Sequence, residues 1–211
     1  MKVYSLVLCI LGALLLSGCV GKVDYTPPIK QNGISNQKII DKSRELVWNS
    51  AVPELGKQFF VINNLDKSSG LINISYTGDP ESYIDCGRLT SYVKNGAGER
   101  TYDFPASKEH MFYEMMTGGQ LFHIQRNMSL EGRMNLIFEE ISPNQTRVTA
   151  NTRYIVAKKV TSLTIGNGIS NTSVASISFN SSASASFPQT GSVVECVSTG
   201  KLEREILSLL K

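Results

Sequence analysis

The amino-acid sequence predicts an α+β domain: a curved antiparallel sheet of about five to seven strands, with an N-terminal and a C-terminal helix packed on one face. Three observations lead there. Residues 121–157 alternate apolar and polar positions, the period-two pattern of half-buried strands. Two segments near the ends, 36–51 and 202–211, instead repeat apolar residues at helical spacing. Both amphipathic helices must bury their stripes, and one sheet face is the surface open to them.

The chain opens with Met1-Lys2 and an apolar run from Val3 to Leu16. The run is shorter than the roughly 20 residues a spanning helix needs, and it has the form of a signal peptide. It ends in Leu16-Ser17-Gly18-Cys19, which resembles the bacterial lipobox. That resemblance implies cleavage before Cys19 and a diacylglycerol on its thiol. The next residue is Val20, not Asp, so the sorting rule of such lipoproteins favours the outer membrane, with the domain facing the periplasm. The expected organisation is a signal peptide over 1–18, a lipidated flexible tether over 19–35 containing Pro27-Pro28 and Gly33, and a single domain over 36–211.

In the first helix, Ile39, Ile40, Ser43, Val47 and Ala51 share a face, Ser35 or Asn36 caps the start and Pro53 marks the end. A hairpin follows: Phe59–Asn63, the turn Asp66–Gly70, and Leu71–Tyr76. Residues 107–117 fit a short helix. Leu121–Leu130 and Arg133–Ile141 flank Glu131-Gly132, which reads as a tight turn. The strand Thr146–Ala157 places Val148, Ala150, Thr152, Tyr154 and Val156 on one face. Residues 161–192 are rich in Ser, Asn, Gly and Ala and predict a mobile loop, with room for a strand at Ser176–Phe179. A strand at Val193–Val197 precedes the final helix, whose stripe is Leu202, Ile206, Leu209 and Leu210, and whose Glu203 and Glu205 suit a helix N-terminus.

The formal net charge is +3, and Lys2 leaves with the signal peptide. Such a balance, with no basic stripe, argues against a nucleic-acid protein. Four cysteines are present: Cys9 lies in the signal peptide and Cys19 is the lipidation site. Cys86 and Cys196 remain, and in an oxidising compartment they predict a disulfide, with two buried thiols as the alternative. The only histidines, His110 and His123, lack metal-ligand spacing, and no metal or cofactor is expected. There is no Gly-x-Ser-x-Gly elbow and no phosphate loop. A hydrolase reading could use Cys86 with His110 or His123, or the carboxylates Asp79, Glu81 and Asp85; a disulfide half explains Cys86, and solvated turn residues explain the carboxylates, more simply.

The run Leu46-Val47-Trp48, Phe60-Val61-Ile62 and Ser69-Gly70-Leu71-Ile72-Asn73-Ile74-Ser75-Tyr76 resembles the start of the helix-grip domains in BamC-type outer-membrane lipoproteins. With the lipobox, this likeness covers roughly residues 16–157 and implies a helix-grip fold in an envelope lipoprotein. The chain has room for one such domain where that family has two. Trp48, Tyr76, Tyr83, Phe112 and Tyr113 either line a groove between sheet and helix or supply the core. The functional expectation is a lipid-anchored, non-enzymatic module that binds another envelope protein. The alternatives are a carrier of small apolar ligands and an envelope hydrolase. An unpaired edge strand would favour the first and an aromatic-lined pocket the second.

Overall fold

Two long strands form the spine of the molecule. The computed structural model describes residues 19–30, 35–58, 60–188 and 193–211. Within them β9 (Gln120–Ser142) spans 23 residues and β10 (Gln145–Thr164) spans 20, paired antiparallel along almost their whole length. In chain order the elements before them are β1 (Val20–Thr26), β2 (Gln37–Ile40), α1 (Arg44–Gly56), β3 (Val61–Asp66), β4 (Leu71–Gly78), β5 (Ile84–Asp85), β6 (Arg88–Asn95), β7 (Gly98–Pro105) and β8 (His110–Thr117). After them come β11 (Ser170–Asn180), β12 (Ser184–Ser186), β13 (Glu195–Ser198) and α2 (Lys201–Leu209).

The β9–β10 ribbon is shared by two neighbourhoods. At the hairpin end, β4 pairs with β9 from Leu71↔Ile137 to Gly78↔Leu130, β3 adds to β4, and β2 pairs with β10 over Thr146–Thr149. At the other end, β8 pairs with β9 over Gln120–Asn127, and β11 pairs with β10 over Arg153–Leu163. A second sheet, β1-β6-β7, packs against β8, and a small third one joins β12, β13 and β5. The disulfide Cys86–Cys196 ties the chain between β5 and β6 to β13.

The expected fold class is overturned. Among the described residues the protein is mostly β, with 61% strand against 14% helix in about three sheets, and the helices are small. The expected pair of helices laid across one curved, helix-grip-like sheet is not the architecture. Local signals mislead for physical reasons. Ile39 and Ile40 fit helical and strand periods alike, and they form β2 against Arg147 and Thr146. The helix therefore starts at Arg44, and it continues through Pro53 to Gly56 at the loss of one backbone hydrogen bond. Glu131-Gly132 is no turn: β9 passes straight through, with Gly132 opposite Tyr154. A Cβ on Gly132 would lie 3.0 Å from Leu202 Cδ2, so the glycine there makes room for α2. Residues 110–117, read as helical, are strand β8, because β9 offers them a paired edge.

Two segments expected to be loose are strands. Val20–Thr26, placed in the tether, is β1 and pairs in full with β6. The Ser/Asn-rich stretch contains the end of β10, then β11 and β12. Ile177 and Phe179 turn inward there, and Phe179 stacks on Tyr154 at 5.5 Å. The expected signal peptide over 1–18, tether residues 31–34 and residues 189–192 of the expected loop lie outside the described residues. Among the described residues no helix is long and apolar enough to cross a membrane.

Candidate functional site

The sheet's flank at β10 and β11 carries the most distinctive surface. β2 leaves the edge of β10 after Thr149, and β11 joins it at Arg153. Between them the backbone is completed by single contacts, Ala150 N to Asn36 O at 2.8 Å and Ser181 N to Thr152 O at 3.0 Å. A groove of about 930 Å³ opens at this gap.

Asparagines floor it. Asn73, Asn135 and Asn151 stand opposite one another on β4, β9 and β10. Asn63 donates to Asn73 Oδ1 at 3.1 Å, Asn73 to Asn135 Oδ1 at 2.7 Å, and Asn36 to Asn151 Oδ1 at 3.0 Å. Each amide both donates and accepts, so the row presents alternating partners for a polar ligand. Arg133 and Arg153 face each other one step along the same side. Glu131 neutralises Arg133 at 2.6 Å, and Arg153 rests on Ser178 Oγ at 3.1 Å.

The inner wall is a buried polar cluster. Glu203, only 1% exposed, sits in the first turn of α2, where the helix end favours an anion. The Tyr154 hydroxyl lies 2.9 and 2.8 Å from its two oxygens, and Ser181 donates to Oε1 at 2.6 Å. Ser198 donates to the Tyr154 oxygen at 3.1 Å. Burial and the adjacent Glu203 charge both hold the Tyr154 phenol far above its ordinary range, so it stays a donor. Hydroxyl donors thus occupy both carboxylate oxygens.

β11 borders the groove and forms the outer edge of the large sheet. Its sequence, SNTSVASISFN, has no charge and no proline. Val174 is 71% exposed, and residues 160–194 contain no ionisable Asp, Glu, Lys or Arg. Sheet edges usually carry lysine, proline or a bulge to block pairing with another chain. β11 has none of these, so its outer backbone groups offer a ladder to an extended segment.

The distal interior holds two buried cations, Arg126 at 2% and Lys158 at 4% exposure. Burial pulls the Arg126 guanidinium down to about 10. Burial, then the Arg126 charge, pull Lys158 down to about 8. Lys158 Nζ lies 4.4 Å from the centre of the Phe187 ring, a cation–π contact.

The sequence-derived site residues are not brought to one place. Cys86 and Cys196 form the expected disulfide. Cys19 is exposed with a free thiol, immediately before β1. The five aromatics do not line a common groove. Trp48 packs edge-on against Phe138 at 5.3 Å, and Tyr76 against Tyr83 at 4.9 Å. Tyr113 packs on Phe104 at 5.0 Å, while Phe112 is 68% exposed on the opposite side of β8. None of them lines the 930 Å³ groove. Of the groups open to a hydrolase reading, Cys86 is oxidised and no thiolate nucleophile. Asp79 accepts the Glu81 N–H at 2.9 Å and Asp85 the Gly87 N–H at 2.8 Å, both local turn bonds. His110 sits on exposed β8 beside Asn127, at 2.8 Å. Among the described residues no group of His, Cys, Asp and Glu could hold a metal ion.

The comparisons add no relative: no family model matches the chain, and no curated protein or solved structure matches it.

Proposed function

We propose that this chain is a lipid-anchored envelope lipoprotein whose folded part is a non-enzymatic protein-binding module, and that β11 is its docking edge. One observation carries this: an 11-residue outer edge strand without charge or proline, beside a groove of amides and hydroxyls. A partner segment would add to the sheet as a further strand. Main-chain hydrogen bonds would supply affinity, and the exposed side chains around Val174 would supply choice. The lipobox-like Leu16–Cys19 and the exposed Cys19 thiol support the anchor.

The test is a photo-crosslinking amino acid at Ser176 in the full chain, in living cells, with the same probe at Leu65 on β3 as control. The expected result is one envelope-protein adduct from position 176, none from 65, and loss of the adduct in Val174→Lys. An adduct insensitive to Val174→Lys, no adduct at 176, or a homodimer alone would sink the reading.

A further inference from the structure

Cys19 stands at a particular end of the molecule. β1 begins at the next residue, Val20, opposite Lys94 and beside the β6–β7 turn. Gly21 lies against Met116, next to the β8–β9 turn. Gln120 Nε2 donates to Ile165 O, and Ile165 N donates to Leu121 O at 2.9 Å. Those bonds tie the β8–β9 turn to the β10–β11 turn. Three turns and Cys19 therefore share one end of the β9–β10 ribbon.

That end is free of net charge. Asn95–Gly98, Thr117–Gln120 and Thr164–Ile169 contain no Asp, Glu, Lys, Arg or His. Lys94 and Glu99, which flank the first turn, neutralise each other in an ion pair. Ile169 is 62% exposed and Val20 is 52% exposed at the same place.

We propose that this end is a membrane-apposed face, seated on the lipid surface that holds the acyl chains of Cys19. The proposal rests on the lipoprotein reading above. A residue spans at most about 3.6 Å, and Val20 is already hydrogen-bonded into a sheet. No tether separates anchor from fold, so the neighbouring turns meet the headgroups. Without carboxylates they avoid repulsion by anionic lipids, and Ile169 and Val20 gain an apolar boundary in place of water. The orientation then follows. β9 rises from the bilayer, and the asparagine-floored groove at Asn135 stands up to about 50 Å above it, at about 3.3 Å per residue from Gln120. β11 runs upward from the surface, which suits a partner segment that itself emerges from the membrane.

The experiment uses the full chain produced in a lipoprotein-processing bacterium, purified and placed in phosphatidylethanolamine–phosphatidylglycerol vesicles carrying brominated acyl chains. Mass spectrometry first establishes whether Cys19 is acylated. Ile169→Trp and Leu65→Trp are compared in a Trp48→Phe background, and both sites are exposed enough to tolerate tryptophan. The expected result is acylated protein, with quenching at position 169 at least about twofold above that at 65, because bromine lies within the roughly 30 Å hydrocarbon layer. Adding Gly96→Glu, at a turn glycine of the same end with no positive φ and no atom in the way of a side chain, should cut the quenching at 169 while leaving the acylation intact. Acylated protein with equal quenching at both sites overturns the orientation and leaves the anchor standing. Protein without acyl groups overturns the anchor and the orientation with it.

Discussion

The two ends of the β9–β10 ribbon solve one packing problem with opposite chemistry. On both, the even-numbered residues of β9 from Ile124 to Phe138 face inward, so strand alternation is continuous. At the hairpin end the cover includes α1 and α2, and the buried charge is an anion. Glu203 is held by Tyr154, Ser181 and a helix N-terminus. At the Cys19 end the cover is a second sheet, and the buried charges are Arg126 and Lys158. The anion is matched by donors. For the cations, burial lowers the proton affinity of both, the Arg126 charge adds to the effect on Lys158, and the Arg126 Nη1 and Nη2 atoms have no hydrogen-bond partner among the described residues. A strand pattern therefore fixes which side is buried, while the covering element decides which charge can be accommodated there.

The disulfide is the joint between the two ends, since β13 leads directly into α2 and Cys86 directly into β6. Its removal is expected to have the largest effect. Cys86→Ser/Cys196→Ser reopens a loop with a sequence separation of 110 residues. On the chain-entropy model this costs about 3–5 kcal/mol. Trp48, the only tryptophan, reports the helix-covered end by fluorescence. A thiol-directed spectroscopic label on Phe112→Cys, in a Cys19→Ser background so that it attaches at one place, reports the other. Coincident denaturation midpoints in the wild type, and separate ones in the double variant, would show that the bridge makes two halves one cooperative unit. Coincident midpoints in both proteins would show that the shared strands suffice.

What the sequence disclosed and what it hid follow the same division. Alternation over 146–157 placed Val148, Ala150, Tyr154 and Val156 on the buried face, where they are. Of the stripe read for α2, Leu202, Ile206 and Leu210 at its C-terminal cap are buried, while Leu209 is only partly so and Leu207 is buried beside them. The disulfide was legible because assigning Cys9 to the expected signal peptide and Cys19 to the expected lipidation leaves Cys86 and Cys196 to pair, as they do. Continuity of β9 was not, since Glu131-Gly132 has the local form of a turn and its true neighbour, Leu202, is remote in sequence. β1 was hidden too: its burial alternates weakly, and its order comes from pairing with β6. Arg126 did leave a signal, as it lies in phase with Ile124 and Met128 on the buried face. The asparagine row spans three strands, so it emerges only once their register is known.

Lys158 offers a pH test confined to the Cys19 end. Its folded value of about 8 lies below the ordinary 10.5. Between those values the unfolded chain binds more protons than the folded one, so stability rises with pH. From pH 8 to pH 10 the gain is about 2 kcal/mol. From about pH 9 the tyrosines of the unfolded chain ionise while the raised ones, Tyr154 among them, hold their protons in the folded state, and they act in the opposite sense in wild type and variant alike. Denaturant titrations at pH 8, 9 and 10 should show this gain as the change with pH in the stability difference between wild type and Lys158→Met, which cancels the tyrosine contribution common to both. A difference between wild type and Lys158→Met that stays constant with pH would mean that burial does not lower the Lys158 proton affinity, and the electrostatic contrast between the two ends would fail.

The finest comparison uses one glycine from each end. Neither Gly21 nor Gly132 has a positive φ, so alanine is allowed by the backbone at both, and only the neighbours differ. At Gly132 the new methyl would meet a side-chain tip, Leu202 Cδ2, at 3.0 Å, with the next atom at 3.8 Å. A leucine tip can swing aside, and alanine costs less conformational entropy than glycine in a strand, so Gly132→Ala should change stability by less than about 1 kcal/mol. At Gly21 the methyl would stand 2.5 Å from both Met116 Cβ and Met116 O. A backbone carbonyl in a paired strand cannot move alone, so β1 must lift from β8, at a cost of about 1–3 kcal/mol. Chemical denaturation of the two single variants measures the difference directly. If Gly21→Ala is the more damaging, sheet-on-sheet contact at the Cys19 end is close-packed down to the backbone, while the helix-covered end has slack. Equal effects would mean that β1 rides loosely on β8, and an anchor attached at Cys19 would then hold the fold through a strand free to hinge.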